Sequence, residues 1–395
     1  MSEYARNAST LAQDYSVVWR NTDYEYYVEG SGLVRLGADH WVAVVPVVPR
    51  SQWAHRRAEH SLTHILRSSD GGDSWQKIAE LPYYSAIPWL HDGGIYLFAN
   101  KGGTEFRNDD LLLLRSDDEG ATWSDAVTLF EGHFWNCQTG MVVRDGRIYW
   151  ALDDISFGMS WRGPRVVVGD LSADLMDPAA WRISNPVPYP GTPEALVAPA
   201  FAHLGSKYLE PNVIEVGGRV RVLATVKPHS QSTTGLGAVL DLTDDGESLD
   251  LHFTQFHPMP GGQLKFCVIR DEVSGMFWAA GNLAVDGQQQ VDLARAGRSE
   301  DCREALDGND RRFLMLFYGL DGLNWFPAGC IARANGLRQS FNYPTAVIDG
   351  DDLCVISRSN VDGPNRHDAD CATFHRVRDF RDLAMDLWPR RRPER

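Results

Sequence analysis

Ser68-Ser69-Asp70-Gly71-Gly72-Asp73-Ser74-Trp75 decides the fold, because a close copy follows at Ser116-Asp117-Asp118-Glu119-Gly120-Ala121-Thr122-Trp123. The two stretches share the pattern Ser-x-Asp-x-Gly-x-(Ser/Thr)-Trp, and the second Asp follows the first by 48 residues. Ser and Asp bond to local backbone in turns, Gly adopts left-handed backbone angles, and Trp covers apolar surface. A repeat at this spacing is typical of one blade of a β-propeller.

Short strand-like runs surround both repeats. Each repeat follows an apolar run, Leu62–Arg67 or Leu111–Arg115, and precedes another such run. Runs of this length between turn signals predict β-strands. The whole chain divides into about six such units, and Tyr15–Trp19 is a lone strand that we expect to close the ring by pairing with the last unit.

The composition limits the classes of function. The 395 residues include 13 Trp, 13 Tyr and 16 Phe, enough for a large core, and the net charge is −15. This charge argues against nucleic-acid and anionic-membrane partners, and no apolar run approaches the roughly 20 residues of a membrane span. Residues 1–14 lack an apolar signal sequence, so we expect a cytoplasmic protein. The six cysteines show no Cys-x-x-Cys spacing and are expected to be buried thiols.

The two repeats resemble the Asp-box, or BNR repeat, of the sialidase-like superfamily. The resemblance extends to Tyr83–Trp89, His133–Gly140, Glu210-Pro211-Asn212, Asn309–Arg312 and segments between Tyr343 and Arg376. It implies an all-β fold: a single six-bladed β-propeller over residues 1–395, with Asp-box hairpins outside the blades and an N-terminal strand closing the last blade. Residues 1–14 would then form a tail, and the polar insertion 282–310 is a candidate lid.

The chain also departs from true sialidases. Those enzymes hold the substrate carboxylate with three arginines, one of them from an Arg-Ile-Pro motif in the first blade. The matching stretch here is Gly32–Gly37, which lacks the motif, and its Arg35 reads as a structural residue. This absence argues against sialic acid itself as the substrate. The sialidase nucleophile is a Tyr paired with a Glu, and the resemblance assigns these positions to Tyr343 and Glu210.

A polar ring is predicted at one end of the propeller axis. In propellers the pocket is built from the starts of the inner strands and the loops between second and third strands. These positions supply the candidate substrate-binding residues Arg358, Lys265, Lys227, Asn212, Trp135, Asn136, Tyr84, Glu29, Arg50 and Gln263. Any one of them could instead form a structural pair, such as Arg358 with Asp370 or Lys265 with Glu210. A full set of unpaired buried polar groups is costly, which favours a wet pocket for a polar ligand.

Three functions fit this ring. A glycoside hydrolase needs two carboxyl groups, for which Glu210 and Asp153 are the candidates, with Glu29 in reserve. A polysaccharide lyase would instead use Tyr343 and His367 on a uronate whose carboxylate is neutralised by Arg358 and Lys265. A binding propeller would need neither set. Cations from separate blades on an acidic protein predict an oligosaccharide or acidic sugar as ligand. No metal-ligand spacing or cofactor fingerprint occurs, so no metal or cofactor is expected.

Overall fold

Six antiparallel sheets form a six-bladed β-propeller in the computed structural model of the chain. The structure describes residues 9–23, 25–49, 61–101, 109–135, 137–156, 162–193, 207–227, 235–283, 310–336 and 338–385. Helix within these residues is limited to two single-turn 3-10 segments, Pro178–Ala180 and Phe380–Leu383. No helix there is long and apolar enough to cross a membrane.

The first three blades follow the chain order, each a meander from the axis outward. An isolated N-terminal strand, β1 (Ser16–Arg20), precedes them. Blade 1 consists of β2 (Tyr26–Val28), β3 (Gly32–Arg35), β4 (Trp41–Pro49), β5 (Leu62–Ser68) and β6 (Gln76–Leu81). Blade 2 consists of β7 (Tyr83–His91), β8 (Gly94–Lys101), β9 (Leu111–Ser116) and β10 (Val127–Phe130). Blade 3 consists of β11 (Phe134–Trp135), β12 (Val142–Arg144), β13 (Arg147–Asp154), β14 (Gly163–Asp170) and β15 (Trp181–Ile183).

The last three blades complete the ring. Blade 4 consists of β16 (Lys207–Val216), β17 (Arg219–Lys227), β18 (Leu236–Asp244) and β19 (Leu249–Pro258). Blade 5 consists of β20 (Cys267–Arg270), β21 (Phe277–Asn282), β22 (Phe313–Gly319) and β23 (Trp325–Arg333). Blade 6 consists of β24 (Ser340–Asp349), β25 (Asp352–Asn360) and β26 (Cys371–Val377), with β1 as its outermost strand. The prediction that an N-terminal strand closes the last blade is therefore confirmed.

Apolar contacts between neighbouring blades form the core. Among the described residues, six clusters of buried side chains occur, one at each blade-to-blade interface. Trp150 of blade 3 stacks on Phe98 of blade 2 with ring centroids 4.5 Å apart, and Trp41 of blade 1 meets Phe374 of blade 6 edge-on. Both faces of each sheet are covered, which explains the continuous burial of second strands such as β4.

The two sequence repeats make the same set of hydrogen bonds. Ser68 accepts from the Gly72 amide (2.9 Å), and Asp70 accepts from the amide and hydroxyl of Ser74. The Trp75 indole donates to the Gly72 carbonyl at 3.0 Å. In the second repeat the equivalent bonds join Ser116 to Gly120, Asp118 to Thr122, and Trp123 to Gly120. Both repeats connect third to fourth strands, so they lie at the opposite end of the blades from the inner-strand starts.

Two segments depart from a simple repeat of the blades. The inner strand of blade 5 begins only at Cys267. The preceding turn depends on Gly261, whose φ is +76 and where a Cβ would lie 2.5 Å from the Asn282 carbonyl oxygen. At the N-terminus, Leu11 and Ala12 of the expected tail instead donate their amides to the Cys330 and Ile331 carbonyls. Residues 1–8 and 284–309, and with them the candidate lid, lie outside the described residues.

The cysteines in the described part of the chain are free thiols. These are Cys137, Cys267, Cys330, Cys354 and Cys371, and all but Cys330 are buried. Burial raises the pKa of the Cys354 thiol to about 12, which leaves it protonated and unreactive at neutral pH. Cys302 lies outside the described residues.

Candidate functional site

Tyr343 and Glu210 meet at the axis although they are 133 residues apart in the chain. The Tyr343 hydroxyl donates to Glu210 Oε1 at 2.5 Å. Tyr343 lies in the first half of β24, the inner strand of blade 6, and Glu210 lies in the first half of β16, that of blade 4. The structure therefore joins the two residues that the sequence analysis had assigned as a possible nucleophile and its partner.

The same backbone irregularity presents both side chains. The pairing of β24 with β25 skips Tyr343 and Pro344, and the pairing of β16 with β17 skips Glu210 and Pro211. Tyr343 has φ +50 and Glu210 has φ +47, a left-handed conformation that costs a non-Gly residue roughly 1–2 kcal/mol. Proline follows in both cases, and because it has no N–H, the bulge leaves no ladder donor unsatisfied there. Strain repeated at two contacting polar residues is characteristic of functional sites.

Asp153 holds Glu210 from the side of blade 3. Its Oδ2 accepts from the Glu210 amide and from Arg162 Nη1, both at 3.1 Å. Its Oδ1 is buried with no hydrogen-bond partner among the described residues. Burial raises the pKa of Asp153 to about 6, and the charge of Arg162 opposes this rise. Pairing of β11 with β13 places Trp135 opposite Asp153, and the Arg162 guanidinium lies 5.1 Å from the centre of the Trp135 ring.

Two buried arginines pack on the ring of Tyr343. The Arg358 guanidinium lies 4.6 Å from the ring centre and that of Arg311 lies 5.4 Å from it, close enough for cation–π contact. Arg358 is 3% exposed, donates to the His367 carbonyl, and has no hydrogen-bond partner for Nε among the described residues. Arg311 donates to Asn342 Oδ1 at 3.0 Å. Burial, with the charge of Arg358, lowers the pKa of Arg311 to about 10, so Arg311 remains charged at neutral pH.

A third arginine, Arg366, is buried, and its charge contributes to the lowered pKa of Arg311. Its Nη1 is 3.9 Å from Asp310 Oδ1. Asp310 is fully buried and also accepts two bonds from Arg312, at 2.9 and 2.8 Å. Sequence reasoning missed Arg162, Arg311 and Arg366 as site residues. The only available signal was that Arg311 belongs to the Asn309–Arg312 segment that carries the family resemblance.

His367 lies next to the arginines and is neutral. Burial and the charge of Arg358 keep the pKa of His367 well below its usual range. Its Nδ1 lies 2.8 Å from Asp368 Oδ1. In a neutral ring this geometry makes Nδ1 the donor to the carboxylate and leaves Nε2 as the basic nitrogen.

The two predicted lysines occupy different environments. Lys227 is half-buried, and burial together with the charges of Arg311 and Lys207 lowers its pKa to about 7. Lys265 is 1% exposed and donates to the Pro344 carbonyl and to Thr345 Oγ1. Lys265 therefore supports the bulge that carries Tyr343, rather than pairing with Glu210 as the structural alternative proposed.

Several other predicted binding residues hold main chain. Asn212 Oδ1 accepts from the amides of Gly140 (2.9 Å) and Val268 (3.0 Å), and its Nδ2 donates to the Phe266 carbonyl. Asn212 thus ties the inner strands of three blades together, and its predicted contact with substrate stays a prediction. Gln263 donates to the Asn282 carbonyl at 3.3 Å and is 1% exposed.

Of the remaining predicted residues, Tyr84 and Glu29 are buried, and the other two lie outside the described residues. Tyr84 donates to the carboxylate of Asp109, and both side chains are fully buried. Glu29 is buried beside Tyr27, whose hydroxyl lies 3.5 Å from Glu29 Oε1. Arg50 and Asn136 lie outside the described residues. The alternative in which Arg358 forms an ion pair with Asp370 does not hold. Asp370 instead accepts hydrogen bonds from Arg20 and from the amides of residues 361 and 362.

No protein-family model matches the chain, and no curated protein matches it. Among solved structures, it is similar to a protein of unknown function from Dyadobacter fermentans (TM-score 0.59, 14% identity, 94% of this chain and 99% of that one). It is also similar to Trypanosoma rangeli sialidase in complex with sialic acid (TM-score 0.58, 12% identity, 94% of this chain). The chain spans 58% of the length of that sialidase. A third similar structure is Penicillium chrysogenum α-L-arabinanase with arabinobiose (TM-score 0.54, 13% identity, 95% of this chain and 100% of that one). At these identities the likeness shows the fold, a propeller shared with glycoside hydrolases.

Proposed function

We propose that the protein is a glycoside hydrolase that acts on an acidic glycan, with Tyr343 as nucleophile. The observation that carries this proposal is the 2.5 Å hydrogen bond between Tyr343 and Glu210 beneath two buried arginines. The similar structures include a sialidase with sialic acid and an arabinanase with arabinobiose, which supports a sugar as the ligand.

The activation of Tyr343 follows from its surroundings. Burial and the charge of Glu210 raise the pKa of the phenol above its usual range, so Tyr343 is neutral at physiological pH. A neutral phenol is a weak nucleophile and requires a base within hydrogen-bond distance. Glu210 meets this requirement, taking the proton as the phenol oxygen attacks the anomeric carbon. A tyrosine also avoids the charge repulsion that a carboxylate nucleophile would experience beside an anionic sugar.

Asp153 is the proposed proton donor to the leaving oxygen. A carboxyl group whose pKa is about 6 retains a proton over part of the physiological range. With the proton on Oδ1, Oδ2 remains an acceptor for the Glu210 amide and Arg162, so both roles are compatible. The proposed first step forms the tyrosyl–glycosyl bond while the glycosidic C–O bond breaks and its oxygen takes the Asp153 proton. In the second step Asp153 deprotonates water, water displaces tyrosine, and Glu210 returns its proton to the phenol.

The arginines select the charge of the substrate. Arg358 and Arg311 are buried cations that both lie on the Tyr343 ring, so an anionic group bound beside this ring would be attracted by two positive charges. A carboxylate can accept two parallel hydrogen bonds from a guanidinium. The net charge of −15 would repel an acidic sugar from most of the surface, so binding depends on this cluster.

The test is turnover of acidic and neutral 4-methylumbelliferyl glycosides by the wild-type enzyme and by Tyr343→Phe and Glu210→Gln. Hydrolysis of an acidic glycoside, lost in both variants while their melting temperatures stay near wild type, supports the proposal. Equal turnover by Tyr343→Phe refutes the nucleophile. Because two displacements occur, the product should retain the anomeric configuration, which nuclear magnetic resonance can follow.

A lyase is the second candidate, favoured by the neutral His367–Asp368 pair beside Arg358. Here His367 Nε2 would remove the C5 proton of a uronate while the arginines stabilise the resulting carbanion. The C4–O bond then breaks as the C4–C5 double bond forms, and Tyr343 donates its proton to the leaving oxygen. The signature is ultraviolet absorbance from an unsaturated uronate, abolished in His367→Ala. New reducing ends without that absorbance exclude the lyase, and binding without turnover would indicate the third alternative, a carbohydrate-binding propeller.

A further inference from the structure

Blade 2 repeats the backbone bulge that carries Tyr343 and Glu210. The pairing of β7 with β8 passes from Tyr84–Asn100 to Ile87–Phe98 and skips Ser85 and Ala86. The skipped pairs of blades 4 and 6 lie at the same register, in strands that start at the same end of the axis. Ser85 has φ +48, against +47 for Glu210 and +50 for Tyr343. The three residues thus hold equivalent positions in alternate blades.

The Ser85 hydroxyl is buried without a hydrogen-bond partner. The residue is 4% exposed, and its Oγ has no partner among the residues that the structure describes. Two separate costs therefore meet at one residue: a left-handed backbone, and a buried hydroxyl whose desolvation is not compensated within the described protein. A glycine would avoid both, since it adopts this backbone freely and has no hydroxyl.

The neighbours of Ser85 differ in charge from those of Tyr343. In blade 6 the strand partner of the residue before the bulge is Arg358, whereas in blade 2 it is Asn100. Asn100 donates to the Asp109 and Asp110 carbonyls at 3.3 Å. The two arginines on the Tyr343 ring thus lie at blades 5 and 6, and blade 2 offers a neutral hydroxyl.

We propose that Ser85 binds a ring hydroxyl of the sugar, so that the substrate lies with its acidic group toward Arg358 and a hydroxyl-bearing edge toward blade 2. This inference rests on the proposed function, because it assumes that a sugar occupies the space between the three bulges. It assigns Ser85 to substrate binding and not to the chemical step.

The experiment measures dissociation constants of free D-glucuronate and N-acetylneuraminate by calorimetry for the wild type, Ser85→Ala and Ser85→Gly. Loss of one neutral hydrogen bond should weaken binding of the accepted sugar by roughly 3- to 10-fold in both variants. Ser85→Gly should also melt at a higher temperature than Ser85→Ala, because glycine relieves the backbone strain. The matched control is Ser184→Ala, which removes a buried hydroxyl that holds the Val166 amide in blade 3 and should lower stability without changing affinity.

Deoxy analogues of the accepted sugar identify the contact. The analogue lacking the contacted hydroxyl should bind the wild type 3- to 10-fold more weakly than the parent and should be insensitive to Ser85→Ala. Unchanged affinity in Ser85→Ala, with normal wild-type binding and turnover, overturns this inference and leaves the proposed function intact. Wild-type binding that weakens in Ser85→Ala, without any turnover, supports the inference and refutes the hydrolase. Absence of binding to both sugars overturns this inference, and absence of turnover of acidic glycosides as well refutes the proposed function.

Discussion

Replacement of Arg358 by alanine tests the proposed anion site. In the structure this guanidinium is 3% exposed, packs on Tyr343 at 4.6 Å and donates to the His367 carbonyl. If it also binds the substrate carboxylate, the lost contact is a desolvated charge pair, worth about 2–4 kcal/mol. The expected fall in kcat/KM is about 30- to 900-fold for an acidic glycoside. Arg358→Lys should recover only part of it, because an ammonium cannot form two parallel bonds.

The stability of the Arg358→Ala protein should change much less than its activity. The variant loses a cation–π contact of about 0.5–2 kcal/mol, but it also removes a buried charge. The matched control is Arg376→Ala in the same blade. Arg376 pairs with Asp349 at 2.7 Å and Asp352 at 3.1 Å, so its loss should lower the melting temperature and leave kcat/KM unchanged.

The assay compares kcat/KM for matched acidic and neutral 4-methylumbelliferyl glycosides. The preference for the acidic substrate should collapse in Arg358→Ala and persist in Arg376→Ala. If the wild type processes neutral glycosides as well as acidic ones, and Arg358→Ala does the same, the argument for an anion site is refuted.

Three further predictions concern stability and pH. Asp118→Ala should lower the melting temperature at pH 7 and leave kcat/KM normal. Hydrogen bonds from Thr122 depress the pKa of Asp118 in the folded protein to about 2. The stabilisation by Asp118 is therefore complete above the unfolded pKa of 3.8 and is lost as the pH falls toward 2. A selective loss of turnover would contradict this. Burial lowers the pKa of His375 from 6.5 to about 4. The free energy of unfolding of the wild type should therefore fall by up to about 3 kcal/mol as the pH drops from 6.5 to 4. In urea titrations, His375→Gln should show a smaller fall over the same pH range. An unchanged slope would count against it. The activity of the wild type should decline above a pH of about 6, because the proton donor Asp153 then loses its proton. Asp153→Asn should lower kcat by about 10²- to 10⁴-fold and should no longer show this decline of activity with pH. If Asp153→Asn showed the same decline of activity above that pH, the decline would belong to another titrating group.

The fold was accessible from the sequence because its signals are local. The repeat at Asp70 and Asp118 lies within single hairpins, and each strand is bounded by its own turn residues. The Gly261 turn before the inner strand of blade 5 could not be predicted, because a close approach of backbone to Asn282 cannot be read from periodicity.

The site was accessible only in part. Tyr343 and Glu210 were identified through resemblance, whereas their contact depends on a ring closure that joins residues 133 positions apart. Arg311 was missed because its sequence neighbours, Asp310 and Arg312, read as an ordinary charged turn. The blade-joining hydrogen bonds of Asn212 could not be predicted, because a buried amide that joins blades and an amide that binds a ligand look alike in sequence.

Trapping of the covalent intermediate tests the central claim most directly. A fluorinated acidic glycoside, whose fluorine slows release of the glycosyl group from the enzyme, should be incubated with the wild type and with Tyr343→Phe, and the products analysed by intact and peptide mass spectrometry. The account predicts one glycosyl adduct on Tyr343, absent from Tyr343→Phe. Turnover of the parent glycoside combined with an adduct on another residue, or with inversion of configuration, would contradict it.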